Sequence, residues 1–530
     1  MKLLHLLFTF ALLSQVALAQ NYNLTRLSNL RYNVELNDIW GYQHSNGTEY
    51  ALVGLTNGVS IVNLSDPAHP VEDLFIPGAQ SIWRDLKTWG NYAYVIADEG
   101  KDGLLIIDLS NPNNFTYQFW RPELTVNWDT DTLNAAHNLY IDEAGYCYIA
   151  GSNISAGETI ILDVHTTPQT PIYRGATLPL NAHDIYAAGD TLWTSDLRNG
   201  SFSVYDVSDR TAPSLLAQQM TPFQFTHNAW ISDDRNTLFT TDEVANAWVT
   251  AYDVSDVNDI KELDRWRPFE TEGQGATPHN VHVWNDYVII SYYTVGVIIL
   301  DATRPANLVE VARYDTYPLS DGSGFLGAWG AYPFLPSRLV LVSDINTGLH
   351  VLQPNYQRAC WLEGVVTELG TGNPIFDVEV KIKTTAVYTH SDLVGTYKTG
   401  IARAGTYEVT FSKAGFFPKK VQVTLQNNQV NIQDVVLKRD RSDVTNLKPS
   451  GEEIFFAYPN PFEHAVQVDY NFSSVWSTEQ QQLIKVYDAL GQAVDQIPLD
   501  APKGTASLGA TWSAGTYFLT YKGKAIRVVK

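Results

Sequence analysis

Four histidines open four copies of one short phrase: HNLY from His137, HDIY from His183, HNAW from His227 and HNVH from His279. The strand-like segments that follow this phrase and its sister copies end on Asp98 and Glu99, Ser152, Asp196, Asp242 and Glu243, Tyr292, and Asp344. Neutral imidazole is a ligand for zinc, copper and iron, and carboxylate shifts the choice towards harder ions. His137, His183, His227, His279, Asp98 and Asp344 are therefore candidate ligands of a divalent or transition-metal ion. Each of the four histidines is followed by Asn or Asp, residue types that can orient a ligating imidazole. An ion held there would polarise a carbonyl or activate water, and Asp196, Asp242 or Glu243 would serve as the base.

That chemistry needs a scaffold that brings distant residues to one place. The phrase recurs as NDIW at Asn37, QSIW at Gln80 and LGAW at Leu326. The seven copies follow one another at intervals of roughly 43–57 residues, the spacing of propeller blades. A second phrase repeats downstream of each, as GVSIVNLSDPAHP from Gly58, GLLIIDLSNPNN from Gly103 and SFSVYDVSDRTAP from Ser201, and ends with a truncated GLHVLQPN from Gly348. Each unit reads as four antiparallel strands, A to D. The last unit lacks a strand D, and NLTRLSNLRYNV from Asn23 reads as the orphan that closes the ring.

In such a blade strand A lines the central channel, and the D-to-A and B-to-C connections share a face. Asn37, Gln80, His137, His183, His227, His279 and Leu326 then gather at one mouth. The fourth residues of the phrase, Trp40, Trp83, Tyr140, Tyr186, Trp230, His282 and Trp329, read as packing between blades. A string of separate sandwiches would show no such fixed period.

The SIVNLSDP, IIDLSNP and VYDVSD phrases resemble the LVIVD repeat, and residues 22–355 are similar to the propeller called the choice-of-anchor B domain. The resemblance implies an extracellular protein and no general activity. WD40 propellers pair a His before strand A with an Asp after strand B to brace one blade. His183 with Asp196 and His227 with Asp242 fit that pattern, whereas His137 and His279 face Ser152 and Tyr292. Three uses of the histidine face stand open: bracing, a metal or catalytic centre, and a metal-free ligand pocket.

Residues 357–438 change character. Alternating strands in EGVVTELGTGNPIFDVEVKIK from Glu363, with Gly405-Thr406-Tyr407 and Ala414-Gly415-Phe416, resemble the carboxypeptidase regulatory-like domain, a small β-sandwich. A polar linker at 439–452 follows. In 453–530, Pro459-Asn460-Pro461, Val486-Tyr487-Asp488-Ala489-Leu490-Gly491 and Ala514-Gly515-Thr516-Tyr517 resemble the type IX secretion sorting domain of Bacteroidetes. That resemblance implies the type IX machinery as a partner of residues 453–530, and release or attachment at the outer surface.

The N-terminus agrees with export. Met1-Lys2, an apolar Leu3–Leu13 and Ala17-Leu18-Ala19 read as a signal peptide over 1–19. No later run reaches the roughly 18–20 apolar residues of a membrane helix. A net charge of −22 argues against nucleic acid or an anionic membrane as partner. Two cysteines, Cys147 and Cys360, fall in different domains, so the fold must rest on its core. The expected molecule is all-β: a seven-bladed propeller over 20–356 followed by two small sandwiches. Its expected role is that of a surface binding or scaffold protein with an unknown extracellular ligand. The alternative is a metal-dependent secreted hydrolase or oxidoreductase.

Overall fold

The computed structural model describes residues 21–440 and 454–530, apart from positions 474, 478–480, 490 and 523. The signal peptide read at 1–19 and most of the linker read at 439–452 lie outside the described residues. The chain divides into two compact units after Lys438.

Seven four-stranded antiparallel sheets make up the larger part of the first unit. Blade 1 consists of strands A to D at Leu36–Gln43, Glu49–Leu55, Gly58–Asn63 and Val71–Pro77. Strands A of blades 2 to 7 are Arg84–Trp89, Asn138–Ile141, Asp184–Ala188, Thr226–Ile231, Val281–Trp284 and Ala328–Tyr332. Each inner strand contacts the next, and that of blade 7 contacts that of blade 1, which closes the ring.

The sequence dictates this stacking. Strands B and C, such as Tyr92–Ala97 and Val297–Asp301, are buried on both faces. They therefore read as continuous apolar runs, as strands covered on both sides do. Outer strands such as Thr116–Trp120 are exposed. The Asn or Asp that ends strand C in the first six blades has a local job. Asn63, Asp108, Asp206, Asp253 and Asp301 each accept the backbone N–H two residues on, at 2.8–3.0 Å, and so form the turn into strand D.

The ring is sealed by the N-terminus. Leu24–Leu30 is strand D of blade 7 and pairs antiparallel with Gly348–Pro354. Tyr22 also exchanges two backbone hydrogen bonds with Arg313 of blade 6.

The regulatory-like sandwich follows. One sheet holds Thr396–Ile401, Cys360–Glu368 and Gln429–Ile432, and the other holds Tyr388–His390, Glu379–Ile382, Gly405–Ser412 and Lys419–Leu425. It is docked on blade 6. Trp361 is buried among Val309 and Val311 and donates its indole N–H to the Asn307 carbonyl at 3.2 Å. Glu363 accepts from Arg304 and Asn307 at 2.9 Å. Both cysteines are free and buried.

The second unit is another two-sheet sandwich around Phe462, Val468, Phe472, Val486 and Leu519. The Pro459-Asn460-Pro461 motif acts through Asn460, whose amide donates to the Arg527 carbonyl at 2.7 Å and whose oxygen accepts from the Val529 N–H at 2.9 Å. The two Gly-Thr-Tyr turns share one device. Tyr407 and Tyr517 each donate to the backbone carbonyl four residues earlier, on Arg403 and Ser513.

Candidate functional site

Strand register corrects two positions in the repeat alignment. Asp85 pairs with Ile96 as Asp184 pairs with Ser195. Gly330 pairs with Ser343 as Asn228 pairs with Thr241. The histidine position is therefore Arg84 in blade 2, not Gln80, and Trp329 in blade 7, not Leu326. The fourth-residue ring becomes Trp40, Lys87, Tyr140, Tyr186, Trp230, His282 and Tyr332. It plugs the channel through ring contacts of 4.3 Å between Tyr186 and Trp230 and 4.8 Å between Trp40 and Tyr332. Trp83 and Trp329 instead line the mouth.

The second residues of the phrase form a polar collar under the mouth. Asp85 accepts the Leu139 N–H at 2.8 Å, Asn138 that of Ile185 at 3.1 Å, and Asn228 that of Val281 at 3.0 Å. Each bond crosses to the next blade. Asp38 completes the collar against Gly330, where an added Cβ would lie 2.7 Å from the Asp38 Oδ1 atom. Gly330→Ala is expected to cost about 1–3 kcal/mol by overpacking, read as a lower urea midpoint in equilibrium unfolding; an unchanged midpoint would show the collar to be loose.

Above the collar the four histidines stand in an arc. Successive ring centroids lie 4.0 Å apart from His137 to His183, 4.5 Å to His227 and 4.4 Å to His279. A cavity of about 580 Å³ covers them and takes side chains from all seven blades. His137 Nδ1 lies 3.4 Å from Asp98, and His183 Nδ1 lies 3.1 Å from Asp184 Oδ1. His227 sits between Asp184 Oδ2 and Glu243, at 3.7 Å from each. His279 Nε2 is 3.8 Å from Glu243, which also accepts the Tyr293 hydroxyl at 2.5 Å. The Nδ1 atom of His279 lies 2.6 Å from the Trp329 carbonyl oxygen. A carbonyl only accepts, so Nδ1 carries the proton and Nε2 presents its lone pair.

Burial sets the charge states. Burial holds His227 and His279 down at about 3, with the neighbouring imidazoles adding to the effect, so both are neutral near pH 7. Burial would raise Asp184, but His227, His183 and His137 outweigh it and keep the carboxylate ionised. His137 is the exception: burial opposes its charge, yet Asp98 and Asp184 raise it above the ordinary value.

Four sequence candidates for this site, His137, His183, His227 and His279, meet here together with Asp98 and Glu243. Asp196, Asp242 and Asp344 do not. Side chains alternate along a strand, and these three stand one residue before the position that faces the mouth. Their carboxylates turn into the blade. Asp196 accepts the hydroxyls of Ser203 and Thr194. Asp242 accepts from Thr221 and from the Phe223 and Phe225 N–H groups. Asp344 accepts from the Asn346 and Thr347 N–H groups. Burial raises all three, Asp196 to about 6. The His–Asp brace within one blade is thus replaced by hydroxyl and backbone donors. Asp184, Asp38, Asp85 and Lys87 were not among the sequence candidates. A larger cavity of about 1440 Å³ lies away from this chemistry, between blades 5 and 6 and the sandwich, beside Trp266, Glu270, Arg313 and Tyr388.

Comparison with known families agrees with this layout. The LVIVD repeat model matches residues 48–74, 82–119 and 276–316. The CarboxypepD_reg-like domain matches residues 362–446, and the secretion system C-terminal sorting domain matches residues 457–530. The protein is exported. Its sorting domain directs it to the cell surface or the extracellular space and engages the secretion machinery. Among the described residues no helix is long and apolar enough to cross a membrane. No curated protein matches the chain. A crystal structure of a putative 6-phosphogluconolactonase from Bacteroides fragilis is similar at a TM-score of 0.41 and 11% identity, over 52% of this chain and 84% of that one.

Proposed function

We propose that the protein is an exported, surface-displayed binding module whose histidine mouth captures its ligand through a transition-metal ion. The observation that carries this reading is the arc of four imidazoles, each from a different blade, with Asp184 and Glu243 between them. The buried neutral imidazoles of His227 and His279, with two further imidazoles and carboxylate beside them, are the donor set that zinc and its neighbours in the first transition row take. Around the mouth, the D-to-A connections raise Ile82, Trp128, Leu178, Phe223 and Phe325 as exposed apolar side chains. Such a rim suits a partner with an apolar surface.

The full exported chain, stripped with chelator, reloaded with Zn²⁺ and desalted, is expected to retain at least one equivalent by elemental analysis. His183→Ala/His227→Ala is expected to lose most of it while keeping its circular dichroism spectrum. A wild-type chain that retains no zinc overturns the proposal.

A further inference from the structure

We infer that the mouth holds two metal ions side by side, each in its own set of two histidines and one carboxylate. The inference rests on the metal-binding reading above and sharpens it. The donors fall into two groups, His137 with His183 and Asp184, and His227 with Glu243 and His279, and within each group the ligand atoms lie within 4.8 Å of one another. Ligands on a tetrahedral zinc stand about 3.3 Å apart, given bonds of about 2.0–2.1 Å. Each group therefore closes on an ion by small rotations of its side chains. A single ion would have to draw in the two ends of an arc of four rings, each 4.0–4.5 Å from the next.

Asp184 sits between the groups. Its Oδ1 faces His183, and its Oδ2 accepts the Asn228 amide at 2.8 Å beside the Nδ1 of His227, whereas His227 faces Glu243 through Nε2, so the carboxylate belongs to the first ion's set and the His227 ring stands between it and the second. The second group is prepared for its ion. His279 is fixed by the Trp329 carbonyl with Nε2 towards Glu243, an outer contact that sets which nitrogen binds. His227 presents its Nε2 to the same carboxylate at 3.7 Å, and its other nitrogen, the buried Nδ1 beside Asp184, has no hydrogen-bond partner. Asp98, Asp184 and Glu243 offset most of the positive charge that two dications bring. Three protein donors per ion leave coordination positions open towards the cavity, so the ligand class is one with a metal-binding oxygen anion.

The test is stoichiometry. The stripped full chain is titrated with Zn²⁺ and with Co²⁺, the latter followed by its visible absorption, and retained metal is counted after desalting. Two equivalents are expected in the wild type. His137→Ala/His183→Ala and His227→Ala/His279→Ala are each expected to retain one, and Glu243→Gln, which preserves shape, is expected to weaken only one of the two equivalents about tenfold or more. One equivalent in the wild type, lost in both double variants, overturns the two-ion site and leaves metal binding standing. No retained metal overturns both.

Discussion

A chain lacking residues 1–31 is expected to lose at least about 4 kcal/mol of stability against a chain lacking only residues 1–20, and to self-associate. The loss follows from what Leu24–Leu30 does as the outer strand of blade 7. Leu24 is 5% exposed and packs with the residues of blades 6 and 7, while Leu27 and Leu30 pack between blades 7 and 1. Burying one leucine fully contributes about 1.5–3 kcal/mol, and two half-buried ones contribute about 1 kcal/mol each. Asn29 donates to the Thr347 and Leu349 carbonyls at 3.0 and 3.2 Å, and Asn23 donates to that of Val311 at 2.7 Å. Removing the segment also uncovers Gly348–Pro354, an apolar strand with a free edge, which invites pairing with another chain. Urea unfolding and light scattering read the two effects. An unchanged midpoint with a monodisperse monomer would mean that the ring does not depend on this closure.

The blade count and the closure were legible because they rest on period and on one unpaired strand, which a single sequence displays. The Asn or Asp that ends strand C in the first six blades was equally visible, since its turn is local. The site was legible only in part. Four histidines share one offset from a repeated phrase, so their gathering followed from topology. The phrase failed at blades 2 and 7, where Gln80-Ser81-Ile82-Trp83 and Leu326-Gly327-Ala328-Trp329 mimic it. The true equivalents there are Arg84-Asp85-Leu86-Lys87 and Trp329-Gly330-Ala331-Tyr332, fixed by pairing with strand B. The misplacement hid Asp85 and Lys87. Asp242 and Glu243 show a finer limit. They are adjacent acids, yet one is spent on the Phe223 and Phe225 N–H groups and the other faces the histidines. Which does which depends on a one-residue register that composition does not carry.

Lys87→Met is expected to cost about 3–5 kcal/mol at neutral pH, the loss typical of stripping one partner from a buried ion pair. Lys87 enters the channel plug among aromatic rings. Its ammonium lies 4.5 Å above Trp40, 3.6 Å from Asp38, and in hydrogen-bond contact with Asp85. Burial would lower its pKa, but Asp85 and Asp38 outweigh burial and raise it, so it stays charged. Burial raises Asp38 well above the ordinary carboxyl range, Asp85 raises it further, and Lys87 is the largest influence against that rise. A carboxyl with a folded pKa above its unfolded one keeps a proton in the folded state. Its contribution is therefore complete at low pH and is lost as pH rises through the folded value. Methionine removes the opposing charge, so that value climbs, and the deficit of the variant should widen from pH 5 to pH 8 and narrow towards acid. Asp85→Asn/Lys87→Met should recover half or more of the loss, because the introduced amide keeps an oxygen for the Leu139 N–H while one of two crowded carboxyls is gone. Urea unfolding of the wild type, Lys87→Met and the double variant at both pH values reads both effects. A deficit equal at pH 5 and pH 8, with no recovery in the double variant, would mean that Lys87 acts by filling space in the channel rather than by neutralising it.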